Sequence, residues 1–343
     1  MRSKRTTLKD ISNRMGLSIP TISRALGGYE DISLKTREEV AEVANEMRYS
    51  PNPYAKSLVS GKSIIGNILI VGVPIVLKSI TSNPYYAEIL KAFLDKIDFS
   101  KHQFVLSAGE NSGGTFKNYH NLIFNHDITA AVILDLKEND ERVEEFTAAK
   151  IPLVVLGEYE PQSDFQCSVW TDNISGAYIA TNHLLKKGCK RVAMISGLKG
   201  QLGSTSRING YRKALEDENI PFDKNIIIEP VEIGEHSGYT AMMELFQRNI
   251  DFDSVFCASD LRSVGAIKAI NEKGLEIPKD ISVVGYDDLP LASYITPTLT
   301  TISQPTYEVG IFAMKQLDRL ITGKKISNQK KSFQPQLIVR NSS

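Results

Sequence analysis

A chain of 343 residues, 42% hydrophobic and 23% charged, is globular in composition, can bury sizeable cores and is long enough for two or more domains. No charged leader precedes an apolar run, and the most apolar segment, 64–77, is too short for a bilayer and broken by Gly66, Asn67, Gly72 and Pro74, so a cytoplasmic protein without membrane association is expected. The net charge is zero, but residues 1–62 hold 11 Lys/Arg against 7 Asp/Glu, leaving 29 against 33 for the rest, and a basic start suits contact with a polyanion.

The first elements are short helices with readable ends. Thr7 caps a helix from Leu8, with Asp10 in its first turn, and Gly16 supplies the positive φ that stops it. Ser18 caps a second helix running to about Leu26 and closed by Gly27 and Gly28, which is helix-turn-helix spacing. Ile22, Ala25 and Leu26 share one face and match Ile11 and Met15, while the small Ser12 lets the two axes approach. Pro20, Ser23 and Arg24, flanked by Ile19 and Thr21, are left outward. A proline in the first turn forfeits nothing, because the N–H groups there have no partner inside the helix.

A third helix, capped by Ser33, is predicted from Leu34 to about Arg48, with Val40, Val43, Ala44 and Met47 covering the first two. In "YSPNPYAKSLVSGKS", Asn52 caps and Pro53 opens a helix of about two turns to Val59, before Gly61. So short a helix is marginal in water and needs partners to order it.

Beyond residue 64, apolar β-branched runs ("AAVIL", "IPLVVL", "KRVAMIS", "DSVFCAS", "ISVVGY") alternate with amphipathic stretches ("SGAYIATNHLLKKG", "SVGAIKAINEKG"). This is the βα pattern of a doubly wound parallel sheet, whose ligands sit at the carboxyl ends of the strands. The fold class is therefore α/β with a small all-α head. The sequence has no GxGxxG, GxxxxGK[ST] or GxSxG, and its five histidines form no HExxH, so no catalytic apparatus, cofactor motif or metal site is visible. Cys167, Cys189 and Cys257 are far apart and read as reduced thiols.

The blocks "TLKDISNRMGLSIPTISRAL", "SLKTREEVAEVANEMRYSPNPYAKSL", "NPYYAEIL", "DNISGAYIATNHLLKKGCKRVAMISG", "SRINGYRKAL", "FCASDLRSVGAIKAINEKGLEIPKDISVVGYDD", "PTLTTISQP" and "LIVRNSS" run in the order of the LacI/GalR (lactose-repressor) family of bacterial transcription regulators, which the chain resembles nearly end to end. The resemblance implies a DNA-binding headpiece at 1–50, a hinge helix and linker at 51–63, and an effector-binding and dimerisation domain at 64–343. That domain is periplasmic-binding-protein-like, with lobe one at about 64–170 and 303–330 and lobe two at about 171–302 and 331–343. The implied function is a transcriptional regulator, a repressor in the first instance. It would bind near-palindromic double-stranded operator DNA as a homodimer, controlled by a sugar or related metabolite between the lobes. The alternative is a sugar-binding protein without operator function.

Site residues follow from the same resemblance. Ile19 and Pro20 fall on the family's base-reading pair and are expected to touch thymine methyl groups. Arg24 would bind a guanine, and Ser18, Thr21 and Ser23 would reach phosphates or base edges. Thr7, Tyr49 and Asn52 are counted with them. Leu58, with Ala55 and Val59, resembles the leucine that wedges into the minor groove at the operator centre.

In the cleft, Arg207 in "SRINGY" and Asp287 in "GYDD" match ligand-holding positions, the alternative being a structural ion pair between them. Tyr85 and Tyr86 match an aromatic pair that packs on a ligand ring. Gln201, Ile233 and Ser259 are neighbouring positions. Glu158 follows Gly157 where the family often has an aspartate. The stretch between Gly66 and Asn83 is longer than usual, and the family's tetramer-forming leucine heptad does not follow "LIVRNSS", so a dimer is expected.

Overall fold

The computed structural model describes residues 6–27, 29, 31–47, 49, 66–72, 83–108, 122–123, 128–326 and 328–343. The expected hinge positions Asn52, Ala55, Leu58 and Val59, the glycine Gly28, and residues 73–82 of the long segment lie outside the described residues. The chain divides into two compact units, Met1–Ile64 and Ile65–Ser343.

The first unit holds α1 (Leu8–Met15), α2 (Ile19–Leu26) and α3 (Leu34–Glu46). Thr7 caps α1 through a reciprocal box: its Oγ1 accepts from the Asp10 N–H at 3.3 Å, and the Asp10 carboxylate accepts from the Thr7 N–H at 2.7 Å. Gly16 ends the helix at φ 67, a left-handed conformation that side chains disfavour. Ser18 accepts from the Thr21 N–H at 3.2 Å and Ser33 from the Thr36 N–H at 3.1 Å, each starting its helix. Ile11, Ile22, Ala25, Val40 and Ala44 are buried together, with Met15, Leu26, Val43 and Met47 around them. Burying each of the larger side chains stabilises the unit by roughly 1.5–3 kcal/mol. Ser12 does more than leave room: its hydroxyl donates to the Leu17 carbonyl at 2.6 Å and ties down the turn between α1 and α2.

The second unit is built on two six-stranded sheets. The first comprises β1 (Gly66–Gly72), β2 (His102–Ala108), β3 (Ala130–Leu134), β4 (Leu153–Leu156), β5 (Gln166–Thr171) and β11 (Lys330–Phe333). Its order is β11-β5-β4-β3-β1-β2, with every neighbouring pair parallel. The second comprises β6 (Val192–Ile195), β7 (Ile227–Ile228), β8 (Ser254–Cys257), β9 (Ser282–Asp287), β10 (Thr300–Ser303) and β12 (Gln336–Ile338). Its order is β12-β10-β9-β8-β6-β7, and only the edge strand β12 runs antiparallel.

Helices among the described residues include α4 (Pro84–Leu94), α5 (Glu141–Ala148), α6 (Asn173–Lys186), α7 (Leu202–Asp217), α8 (Glu235–Gln247), α9 (Asp260–Glu272) and α10 (Thr306–Ile321). The central strands β3 and β8 are buried at every position, as parallel strands covered on both faces must be. The chain passes between the sheets after β5, after β10 and after β11. The last passage corrects the expected boundary at 330/331. Lys330, Lys331, Ser332 and Phe333 all pair with β5, from Ser168 to Thr171, so lobe one keeps the whole strand and lobe two resumes at β12.

Cys167 and Cys257 are buried free thiols that burial pushes up to about 12, and Cys189 is half-buried. Among the described residues no helix is long and apolar enough to cross a membrane, and no cluster of His, Cys, Asp and Glu could hold a metal ion.

Candidate functional site

On the first unit, the core-facing residues of α2 leave Ser18, Ile19, Pro20, Ser23 and Arg24 exposed and Thr21 half-buried. Ile19 is an apolar side chain with 42% of its surface in water, which the unit's own packing does not require. Pro20 sits in the first turn, where its missing N–H is not needed. Three expected contact residues carry structural bonds as well. The Ser18 and Thr21 hydroxyls lie 2.7 Å apart, with Ser18 also the cap, and Thr7 is engaged in the capping box. Tyr49 packs at the edge of the three-helix core. Arg24 is not free in solution: it pairs with Asp31 and lies over the Tyr29 ring, and the guanidinium holds the Asp31 carboxyl below its usual range.

In the second unit the carboxyl ends of both sheets converge on a cavity of about 140 Å³. All eight expected cleft residues line it: Tyr85, Tyr86, Glu158, Gln201, Arg207, Ile233, Ser259 and Asp287. The reason is topological, since all but Arg207, which stands in the second turn of α7, lie at a strand's carboxyl end or a helix's amino end on the same edge of a parallel sheet. The lobes also meet beside the cavity, where the Leu202 N–H donates to the Leu136 carbonyl at 3.0 Å and Lys137 forms an isolated antiparallel bridge with Gln201.

Arg207 and Asp287 are not bonded to each other. Arg207 donates from Nε to Asn173 Oδ1 at 2.9 Å and from Nη1 to the Ala258 carbonyl at 2.6 Å, and its guanidinium lies 4.0 Å from the centre of the Tyr286 ring. Asp287 accepts from Gln304 Nε2 at 2.7 Å, and its backbone is held at φ 119, a strained conformation for a residue with a side chain. Burial raises its carboxyl to about 6 against the pull of Arg207.

Tyr86 is buried in the lobe-one core and donates its hydroxyl to Asp135 at 2.9 Å, so it orients that acid as well as forming wall; Tyr85 meets it edge-on at 5.2 Å. Ile233, from lobe two, packs on the same core cluster. Ser259 caps α9, accepting from the Arg262 N–H at 3.3 Å.

Two further charged groups line the cavity that sequence reasoning missed, Asp135 and Arg262. Asp135 follows the "AAVIL" strand directly, in a left-handed backbone at φ 51, and burial raises its carboxyl. Arg262 stands in the first turn of α9 on an otherwise apolar or small buried face, a signal visible in "DLRSVGAIKAI".

Comparison with known proteins accords with this construction. Residues 7–52 match the family described as bacterial regulatory proteins, lacI family, and residues 181–343 match a periplasmic binding protein-like domain. The HTH-type transcriptional regulator RegA of Clostridium saccharobutylicum is 30% identical over 339 residues, covering 98% of this chain and 99% of that protein. Among solved structures, a complex of the transcriptional regulator CelR with cellobiose superposes with TM-score 0.74 at 29% identity, over 99% of this chain and 100% of that one. The lac repressor dimer bound to operator and an anti-inducer gives 0.69 at 25% identity, over 99% of each chain. The chain thus belongs to the lacI family of bacterial regulatory proteins.

Proposed function

We infer that the protein is a sequence-specific DNA-binding transcriptional regulator, acting as a repressor, whose affinity for its operator is set by a small polyhydroxy metabolite held between the lobes. The observation that carries this is the pairing, in one chain, of an α2 surface that exposes Ile19, Pro20 and Arg24 with a cavity ringed by Tyr85, Arg207 and Asp287. Ile19 and Pro20 make no bidentate bonds, so in the major groove they touch thymine methyl groups and leave Arg24 to read a guanine. Two headpieces from a homodimer meet a near-palindromic site, and Leu58 wedges into its centre from the minor groove. Because the chain passes between the sheets three times, a ligand that rotates one lobe against the other changes the spacing of the two hinges, and with it the DNA affinity. This reading places the protein in the cytoplasm, with no membrane partner, no cofactor and no catalytic step.

The test is selection of bound duplexes from a randomised pool by the purified full-length protein, with and without metabolite mixtures. A two-fold palindrome with T-rich flanks and a flexible central step is the expected product. Absence of enrichment under every condition overturns the regulator reading and leaves a small-molecule binding protein.

A further inference from the structure

Two arginines reach the cavity, and neither makes an ion pair with a carboxylate among the described residues, although Asp287 lies within electrostatic reach of both. Arg262 is 5% exposed. Of its five N–H groups, one on Nη1 donates to Ser259 Oγ at 3.3 Å and one on Nη2 to the Glu232 carbonyl at 3.0 Å, both uncharged acceptors, while Nε has no partner among the described residues. Arg207 likewise bonds an amide oxygen and a carbonyl and stacks on Tyr286. None of the arginine ion pairs among the described residues includes either of them. Burial, and then the nearby Arg207 charge, push the Arg262 guanidinium down to about 10.

The acids at the cavity make their hydrogen bonds elsewhere. Asp287 receives Gln304 and Asp135 receives Tyr86, while Glu158 is exposed. The amino end of α7 adds partial positive charge: its cap, Gln201, supplies no side-chain bond, its first turn has no acid, and Gly203 and Ser204 line the cavity. A buried cation and a half-buried one, both on neutral oxygens, cost free energy that an uncharged ligand leaves in place and an anion offsets through charge-assisted, forked hydrogen bonds.

We propose that the effector carries an anionic group, a carboxylate or a phosphate, held by Arg262, Arg207 and the amino end of α7, while Asp135 and Asp287 receive the hydroxyl groups of the rest of the molecule. This rests on the cleft being the effector site. Arg262 is then the residue that selects an acid over the corresponding neutral sugar.

The test uses the full-length protein with acetate and with inorganic phosphate as probes, each against chloride at matched ionic strength, read as melting temperature across a concentration series. The expected result for the wild type is a saturable rise of about 2 °C or more once the probe exceeds its dissociation constant about tenfold. Arg262→Met removes the saturable part, and Arg262→Lys, which keeps the charge and loses the fork, retains some of it. The melt in chloride reports that each variant folds. The probe that saturates at lower concentration identifies the anion as carboxylate or phosphate.

No saturable rise in the wild type, or the same rise in wild type and Arg262→Met, overturns the proposal. A panel of neutral pentoses and hexoses separates that failure from failure of the cleft reading. If a neutral sugar raises the melting temperature and shifts affinity for a selected duplex, the cleft remains the effector site and only the anion is lost. If neither probes nor sugars do so, both readings fall.

Discussion

Arg24 Nη2 lies 2.7 Å from Asp31 Oδ2, Arg24 Nε donates to the same oxygen at 2.8 Å, and the guanidinium sits 4.6 Å from the centre of the Tyr29 ring. Both side chains are about half exposed (48% and 53%), so the pair adds little to stability. Its effect is on conformation and charge: it holds the arginine fork in one place and keeps a negative charge next to the residue proposed to read DNA. Asp31→Asn removes both restraints. Affinity for scrambled duplexes is expected to rise a few-fold with a steeper salt dependence, as one more cation becomes available to phosphates, while preference for the selected sequence falls. Titrations of selected and scrambled duplexes at several salt concentrations check this; unchanged affinities for both would remove Asp31 from the recognition scheme.

Arg24 itself separates base reading from phosphate contact. If it forks onto a guanine, Arg24→Ala weakens binding to the selected site by roughly 5- to 150-fold and relaxes one base position in a repeated selection. A uniform loss across all sequences, with no relaxed position, would assign Arg24 to the backbone.

Gly238 on α8 lies against the main chain of Arg262 on α9. A Cβ at 238 would stand 2.0 Å from the Arg262 carbonyl oxygen and 2.6 Å from its Cα, and backbone cannot swing aside as a flexible side chain can. Gly238→Ala therefore pushes α8 and α9 apart and shifts the first turn of α9, which carries Ser259 and Arg262 at the cavity. A loss of about 1–3 kcal/mol is expected from overpacking, together with weakened saturable anion binding. Thr240→Ala, on the exposed side of the same helix, should stay within about 0.5 kcal/mol. Denaturant midpoints of the two variants decide it; equal stability would mean that the helices separate at no cost.

Where the sequence was legible, the determinants were local. Thr7, Ser18 and Ser33 start helices because each accepts from an N–H three residues on, and Gly16 stops one because of its own φ, so the three-helix head could be read from windows of a few residues. The cleft residues were legible because strand ends in a parallel sheet fall at one edge, and the resemblance named which of them to consider. What escaped depended on distance along the chain. The bond from Asp31 to Arg24 crosses seven positions, Asp135 gains its partner Tyr86 from 49 positions away, and Arg262 reaches Glu232 across 30. β11 escaped because "KKSF" has no strong apolar alternation: it is an edge strand defined by the ladder it finds on β5.

Asp287 supplies a test through pH. Burial raises its folded-state carboxyl to about 6 although Arg207, Gln304 and Arg262 all favour the charged form. An unfolded Asp titrates near 4, so folding favours the protonated acid. The sign follows: this contribution to stability is fully present below about pH 4 and is lost as pH rises through 6, on the order of 2–3 kcal/mol in all. Asn cannot ionise, accepts the Gln304 N–H through its own oxygen, and tolerates positive φ better than most residues. Asp287→Asn should therefore gain on the wild type between pH 4 and about 6.5, with the difference in melting temperature level above that. Asp135 is also raised but does not feel Asp287, so it cancels in the difference; Asp260 is raised by burial and then by the Asp287 charge, and losing that charge in the variant adds to the gain in the same direction. Melts in chloride buffers across pH 4–8 make the comparison, and a gap that does not change with pH would show that the cavity leaves Asp287 with an ordinary carboxyl.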